Sequence, residues 1–169
     1  VANALAAIAV TSAMNVPGSA IVKGLASVAS APHRLQLRDG VNQSQLIDDS
    51  YNANPGSYKQ ALESLSSFSG NHCLVLGDFG ELGAESEHLH RQMGIDAKAS
   101  GVQQLWTIGK ESEEATKAYG VGAEHFSSIE TLKNKLVKEL SSGDVCLIKG
   151  SRFMQLDKLA DALAEVGES

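Results

Sequence analysis

The sequence predicts an α/β fold in which a mostly parallel sheet is covered by helices on both faces and is preceded by two further helices. From Pro32 onward, short apolar runs of strand length alternate with segments of helical periodicity. Most of these runs are apolar at nearly every position, as strands buried on both faces are. The 169 residues are 43% hydrophobic and 20% charged, a balance typical of a folded domain with a substantial core.

The first 31 residues are apolar and almost uncharged. Lys23 is the only charged residue of Val1–Ala31, so all 20 acidic side chains lie beyond it. Two Ala-rich helices are expected at Ala2–Met14 and Ser19–Ala29, separated by the turn sequence Asn15–Gly18. A signal peptide requires a basic segment before its apolar core, and none precedes this apolar stretch. The stretch is also too short to span a bilayer. With neither a capped start nor a polar face, these helices are expected to be the end of a larger domain.

The elements after Pro32 begin with a predicted hairpin. Short alternating strands at Leu35–Leu37 and Gln45–Ile47 flank Asp39-Gly40, a turn sequence. Pro55 suits the first turn of a helix, which is expected to run to about Phe68. The later strands are predicted at His72–Leu76, Gln104–Ile108, Ala123–Phe126 and Asp144–Ile148. The helices between and after them are predicted at Ser86–Ala99, Glu111–Tyr119, Ile129–Leu140 and Leu156–Val166.

The charge balance and the cysteines exclude some functions. Lys and Arg total 14 against 20 Asp and Glu, a formal charge of −6. This disfavours sequence-independent binding to nucleic acid or anionic lipid, although a local basic site for a phosphate is compatible with it. Cys73 and Cys146 lie within apolar runs, so buried, reduced thiols are expected rather than a disulfide or a metal pair.

The loops that follow strands are the candidate functional segments, because parallel sheets bind ligands at the carboxyl ends of their strands. Four such segments stand out: Asp48–Pro55, Gly77–Gly83, Gly109-Lys110 and Lys149–Arg152. Three of the four combine glycine or turn residues with carboxylate, amide, hydroxyl or cationic groups.

Each loop has a structural and a functional interpretation. In Asp48–Pro55, Asn54 can cap the next helix and Asp49 suits its positive end, or Asp49 and its neighbours can hold a polyhydroxyl ligand such as a ribose. Gly77–Gly83 lacks the spacing of a phosphate loop, which favours an ordinary strand-to-helix turn. Lys149–Arg152 can recognise a carboxylate or phosphate, or can be a solvated basic turn.

Other polar residues are less informative alone. Arg34, where the apolar helices join the sheet, can contact a phosphate or can be a surface charge. His88 and His90 are two apart on a predicted helix and so lie on different faces, which disfavours shared metal ligation.

Together these segments resemble the Mur ligases, ATP-dependent enzymes that form amide bonds in peptidoglycan precursor synthesis. The resemblance is carried by Asn3–Ala7, Pro32–Leu35, Asp48–Pro55, Leu76–Gly83, Leu89–Arg91 and Lys149–Arg152, in that order and spacing. The form Asp48–Pro55 is similar to the branch of MurF type, which adds D-Ala-D-Ala to UDP-N-acetylmuramoyl-tripeptide. Phe79 stands where that branch more often has Met, a conservative departure.

The resemblance implies an architecture and a reaction. Val1–Ala31 would be the end of a central ATP-binding domain, and Pro32–Ser169 a Rossmann-like C-terminal domain. ATP would phosphorylate the tripeptide carboxylate, and the amine of D-Ala-D-Ala would attack the acyl phosphate, with Mg²⁺ as cofactor. The phosphate loop, the metal ligands and the UDP-sugar site of the family are not in this sequence, so the chain alone is expected to be inactive. The resemblance also implies a bacterial cytoplasmic location and a contact with the missing N-terminal and central domains.

Residue roles also follow from the resemblance alone. Arg34 would be catalytic, contacting the terminal phosphate of ATP, while Asn3 would contact adenine and Asp49 the ribose. Tyr51, Asn52 and Asn54 would line the same nucleotide cleft. The residues expected to face D-Ala-D-Ala and the acceptor peptide are Asp78, Lys149, Ser151 and Arg152. No metal ligand is expected.

Three alternatives stay open at this point. The chain could belong to another ATP-dependent amide ligase of the superfamily, such as a sister Mur ligase or folylpolyglutamate synthetase. It could be a non-catalytic binding module with a Rossmann-like fold. The apolar first helices could also form a dimer interface.

Overall fold

The computed structural model describes residues 2–27 and 31–165, and the chain divides into two compact units, Val1–Ala31 and Pro32–Ser169. The first unit holds two helices, α1 (Ala2–Ala13) and α2 (Gly18–Ala26). The expected continuation of α2 to Ala29 enters residues 28–30, which lie outside the described part. Several large apolar side chains of this unit are exposed, namely Leu5, Ile8, Val10, Met14 and Val22. No helix within the described residues is both long and apolar enough to cross a bilayer.

The second unit is built on a six-stranded sheet. Its strands are β1 (Gln36–Asp39), β2 (Gln45–Asp49), β3 (Asn71–Gly77), β4 (Gln104–Ile108), β5 (Ala123–Phe126) and β6 (Asp144–Lys149). They lie in the order β1-β2-β6-β3-β4-β5. Only the β1–β2 pair is antiparallel, and the other four pairs are parallel. The predicted mostly parallel sheet is therefore confirmed.

Helices cover both faces of this sheet, as predicted. They are α3 (Pro55–Ser66), α4 (Ser86–Ala99), α5 (Glu113–Tyr119), α6 (Ile129–Glu139) and α7 (Leu156–Glu165). Side chains of α3, α4 and α5 share one apolar core with the sheet, and those of α6 and α7 share the other. Cys73 and Cys146 are free and buried in the second core. Burial raises the pKa of the Cys73 thiol to about 12, so it is an inert core residue.

Several predicted boundaries were wrong, and those of β1, β2 and β6 bear on the site. The hairpin forms, but β1 continues through Asp39, and the turn runs from Gly40 to Ser44 with a 3₁₀ turn at Val41–Gln43. Asp48, Asp49 and Lys149 were expected in loops, whereas each lies within a strand. The reason is that β2 and β6 pair through these positions, which extends both strands.

Helix α5 also starts later than predicted. It begins at Glu113 rather than Glu111 because its first i→i−4 hydrogen bond runs from the Thr116 amide to the Ser112 carbonyl, whereas the Glu114 amide bonds to Glu111, only three residues back.

Helix α3 begins with a capping box, which confirms the capping interpretation of Asn54. The Asn54 side chain accepts a hydrogen bond from the Ser57 amide at 2.9 Å, and the Ser57 hydroxyl accepts one from the Asn54 amide at 3.1 Å. Pro55 occupies the first turn, where its missing N–H costs no helical hydrogen bond.

Removing this cap is expected to destabilise the second unit. Asn54→Ala should lower the free energy of unfolding by about 1 kcal/mol, because the Ser57 amide loses the side-chain oxygen that accepts its hydrogen bond. Asn54→Ser keeps a capping oxygen and should stay within a few tenths of a kcal/mol of the parent. Urea unfolding measures both, and equal stability of the Ala and Ser variants would contradict the assignment.

Candidate functional site

Three of the four candidate loops meet where β2, β6 and β3 end. Between them lies a cleft of about 710 Å³. It is lined by Asn52, Ala53, Asn54, Pro55, Gly80, Glu81, Leu82, Ser151, Arg152 and Phe153. Gly109-Lys110 follows β4 and instead lines a separate cavity of about 420 Å³ with the end of β5. The carboxyl edge of the sheet therefore concentrates polar groups, as the topology predicted.

A buried ion pair lies beneath this edge. Lys149 is fully buried, and its Nζ donates to Oδ2 of Asp49 at 2.5 Å and to the Asn52 carbonyl at 3.3 Å. The two side chains are register partners on β2 and β6. Burial lowers the pKa of Lys149, while Asp49 opposes that shift and nearby Arg34 adds to it. The interpretation of Lys149 as part of a solvated basic turn is thus wrong.

Tyr51 forms a platform for two arginines above that pair. The guanidinium carbon of Arg34 lies 4.4 Å from the centre of the Tyr51 ring, and that of Arg152 lies 5.7 Å from it. Arg152 also pairs with Asp157 at 2.8 Å. Both arginines are exposed and lie close to the same ring, so two positive charges near Tyr51 can attract an anion.

The backbone on both sides of Arg34 is pinned to β2 and the loop after it. The Tyr51 amide donates to the His33 carbonyl at 3.0 Å, and the Leu35 amide donates to Oδ1 of Asp49 at 3.2 Å. His33 and Leu35 both have positive φ, 59° and 46°. A leucine in the left-handed region is strained, so the contacts around this turn must hold it there.

A charged network beside this turn escaped prediction. Nδ1 of His33 donates to Oδ2 of buried Asp48 at 2.8 Å. Arg38 bridges Asp48 at 3.2 Å and Asp161, on α7, at 2.6 Å. Ligand atoms of His33, Asp48 and Asp161 lie within 4.8 Å of one another, a spacing that a metal could use. The Arg38 guanidinium bridges both carboxylates, so the cluster is a salt-bridge network that ties β1, β2 and α7 together.

Asp78 and Ser151 hold the loops of the cleft against each other. Asp78 is buried, and its carboxylate accepts from the Ser112 amide at 2.7 Å. Its backbone carbonyl accepts from the Ser151 amide at 3.0 Å, and the Ser151 hydroxyl accepts from the Gly80 amide at 2.8 Å. Ser151, which was expected to face a substrate, lines the cleft, whereas the Asp78 carboxylate, with the same expected role, binds the Ser112 amide and is not among the lining residues. The turn Gly77–Gly83 is therefore both a strand-to-helix connection and a wall of the site.

His90 fixes the turn Gly77–Gly83 by hydrogen bonds within the protein interior. It is fully buried, its Nδ1 donates to the Ser86 carbonyl at 2.8 Å, and its Nε2 accepts from the Phe79 amide at 3.0 Å. His88 is exposed, so the two histidines lie on different faces of α4, as the helical spacing predicted. The sequence indicated no role for His90, since only the fold shows that it faces Phe79.

Phe153 borders the cleft, and Asn3 lies in the first unit. The Phe153 side chain is 63% exposed and borders the cleft, although nothing in the sequence singled it out. Asn3 is exposed on α1, in the first unit.

Comparison with known proteins identifies the family. The model of the family described as Mur ligase, glutamate ligase domain, matches residues 33–152, which include all three loops of the cleft. The chain belongs to the Mur ligase family. It is 40% identical to the UDP-N-acetylmuramoyl-tripeptide–D-alanyl-D-alanine ligase of Escherichia coli K12, over 99% of this chain and 37% of that protein. The ligase of the same name from Bacillus subtilis is 32% identical over 98% of this chain and 38% of its own length.

Solved structures of this family have the same fold. A crystal structure of MurF from Acinetobacter baumannii is 30% identical, with a TM-score of 0.83 over 96% of this chain and 37% of that chain. MurF from Thermotoga maritima in complex with ADP is 25% identical, with a TM-score of 0.75 over 85% of this chain and 33% of that chain. The Mur ligase chain therefore spans about 37% of the length of the curated E. coli relative.

Proposed function

We propose that this chain is the C-terminal portion of an ATP-dependent ligase that adds D-Ala-D-Ala to UDP-N-acetylmuramoyl-tripeptide in peptidoglycan precursor synthesis. The observation that carries this proposal is the 40% identity to the E. coli ligase across 99% of the chain. Val1–Ala31 would end the central ATP-binding domain, and Pro32–Ser169 would form the C-terminal domain. The ligase would act in the bacterial cytoplasm, with ATP and Mg²⁺ as cofactors.

The proposed reaction has two steps. The terminal phosphoryl group of ATP passes to the C-terminal carboxylate of the tripeptide, giving an acyl phosphate and ADP. The amine of D-Ala-D-Ala then attacks the acyl carbon, phosphate leaves with the bonding electron pair, and the amine loses a proton. Cations placed where negative charge develops accelerate such steps.

Arg34 is the proposed catalytic cation of this chain. Its guanidinium is exposed and oriented on Tyr51 at 4.4 Å, which leaves its N–H groups free to grip phosphate oxygens. Asp49, next to the turn that carries Arg34, would accept from the ribose hydroxyls through its accessible edge. Asn3 would contact adenine, and Tyr51, Asn52 and Asn54 would line the nucleotide side of the site.

The 710 Å³ cleft is the proposed site of D-Ala-D-Ala. Its exposed cation is Arg152, which suits the carboxylate of the dipeptide. Leu82 and Phe153 offer apolar surface for its methyl groups. Asp78 and Ser151, with their loop-bridging hydrogen bonds, would hold the shape of this cleft.

An acceptor panel tests the proposed function. The full-length ligase is supplied with ATP, Mg²⁺, UDP-N-acetylmuramoyl-tripeptide and one amine at a time: D-Ala-D-Ala, L-Ala, D-Glu or L-Glu. Mass spectrometry of the product is expected to show the D-Ala-D-Ala adduct at least 100-fold faster than any other. Preference for a single amino acid would instead favour a sister ligase or a folylpolyglutamate synthetase. The isolated chain is expected to form no product, and turnover by it would contradict the assignment of the phosphate loop to the rest of the protein.

A further inference from the structure

Lys149 was expected to face the incoming amine, but its surroundings suit a different task. The ammonium group is fully buried at the end of β6 and lies 6.0 Å from the centre of the Phe79 ring. Its two hydrogen bonds run to Asp49 and to the Asn52 carbonyl. A group with these partners and no exposed surface cannot reach a ligand in the cleft.

Asp49 connects Lys149 to the turn around Arg34, because its carboxylate contacts both. The side chain of Asp49 is 13% exposed, so a part of it stays accessible while Lys149 holds Oδ2. Its Oδ1 accepts from the amide of Leu35, the residue after Arg34. Leu35 is in the strained left-handed region, with φ of 46°, and this hydrogen bond is one of the contacts that hold it there.

We propose that Lys149 is a positioning residue for the nucleotide: it fixes the carboxylate of Asp49 and, through Asp49, the turn that presents Arg34. This inference rests on the proposed function and deepens it, since it assigns Lys149 to the ATP side of the reaction rather than to the amine side. Lys149 acts through its ion pair with Asp49. Removing the ammonium group leaves the partly buried Asp49 carboxylate without this partner and free to turn away.

The test uses three variants of the full-length ligase: Lys149→Met, Asp49→Asn and the double variant. ADP affinity in the presence of Mg²⁺ is measured by calorimetry, and KM is measured for ATP and for D-Ala-D-Ala. Lys149→Met is expected to weaken ADP binding and raise the KM for ATP about tenfold, with the KM for D-Ala-D-Ala changed less than twofold. Because both residues act in one chain of contacts, the double variant should bind ADP within twofold of Asp49→Asn.

Lys135→Met is the matched control. Lys135 is also a lysine with carboxylate partners, Glu124 at 2.9 Å and Glu139 at 3.5 Å, but it lies on α6 away from the cleft. This variant should leave ADP affinity and both KM values unchanged. Far-UV circular dichroism and thermal unfolding of each full-length variant report whether it is folded. If Lys149→Met does not fold, Lys149→Gln, whose side-chain amide can still donate one hydrogen bond in the buried site, replaces it, with the same loss of ADP affinity expected.

Two results would overturn the inference. One is a rise in the KM for D-Ala-D-Ala with ADP affinity intact, which would mean that Lys149 serves the amine directly. The other is ADP binding that is unchanged in folded Lys149→Met or in folded Lys149→Gln. A parent enzyme that binds ADP but does not use D-Ala-D-Ala would refute the proposed function alone, since the ADP measurements would still decide the role of Lys149.

Discussion

Arg34→Ala in the full-length ligase is expected to lower kcat about 100-fold or more and to change the KM for UDP-N-acetylmuramoyl-tripeptide less than threefold. The magnitude is that of removing one preorganised group from a site where negative charge develops. The guanidinium is held ready by stacking on Tyr51 and by a turn pinned on both sides. Because the guanidinium held in this way would contact the phosphate of ATP rather than the UDP-sugar, steady-state kinetics should show the loss mainly in kcat.

Two further variants make this prediction specific. Arg34→Lys keeps the charge but loses the fork of donors, so it should recover only a part of kcat. Arg91→Ala removes an exposed arginine from α4 and should leave kcat unchanged. A kcat of Arg34→Ala equal to that of the parent would refute the catalytic role of Arg34.

Gly94→Ala is expected to destabilise the second unit by about 3 kcal/mol, although the same change in an exposed helix stabilises by about 1 kcal/mol. Gly94 lies in α4 where α5 crosses it. An added Cβ would overlap the carbonyl oxygen of Ala115 and lie 2.8 Å from its carbonyl carbon. A backbone atom cannot rotate aside, so α5 would have to move. Urea unfolding followed by Trp106 fluorescence measures the change.

Gly56→Ala is the control for this prediction. Gly56 is also helical, in α3, but the nearest neighbour of its added Cβ is Oδ1 of Asn54 at 3.4 Å, an ordinary contact. Its stability should equal or slightly exceed that of the parent. If Gly94→Ala were as stable as Gly56→Ala, the close approach of α4 and α5 would be refuted.

Periodicity and turn residues were sufficient to predict the fold. Strands β4 and β5 and helix α4 were predicted with the bounds that the structure has. The errors that bear on the site, at the ends of β2 and β6, lie where pairing with a distant segment decides the end of a strand. Asp49 and Lys149 look like loop residues in sequence because they are charged, but each lies opposite the other on neighbouring strands and neutralises it. The pattern of charges along the chain does not show that Asp49 and Lys149 lie opposite each other on neighbouring strands.

For the candidate site, the sequence predicted which loops meet but not what their side chains do. The loops of the cleft could be named because chain topology places them at one edge of the sheet. What each side chain does there depends on contacts between residues far apart in the chain. His90 binds the Phe79 amide, and Arg38 reaches Asp161, 123 positions away. Such partners have no local signal, so the roles of Asp78, Ser151 and Lys149 in holding the site emerged only from the structure.

Transfer of ¹⁸O from the tripeptide to phosphate tests the central claim most directly. UDP-N-acetylmuramoyl-tripeptide labelled with ¹⁸O in its terminal carboxylate is incubated with the full-length ligase, ATP, Mg²⁺ and D-Ala-D-Ala. An acyl phosphate that is attacked by this amine predicts one ¹⁸O atom in each phosphate released, in step with formation of the pentapeptide product. Unlabelled phosphate, or labelled phosphate without the D-Ala-D-Ala adduct, would contradict the account.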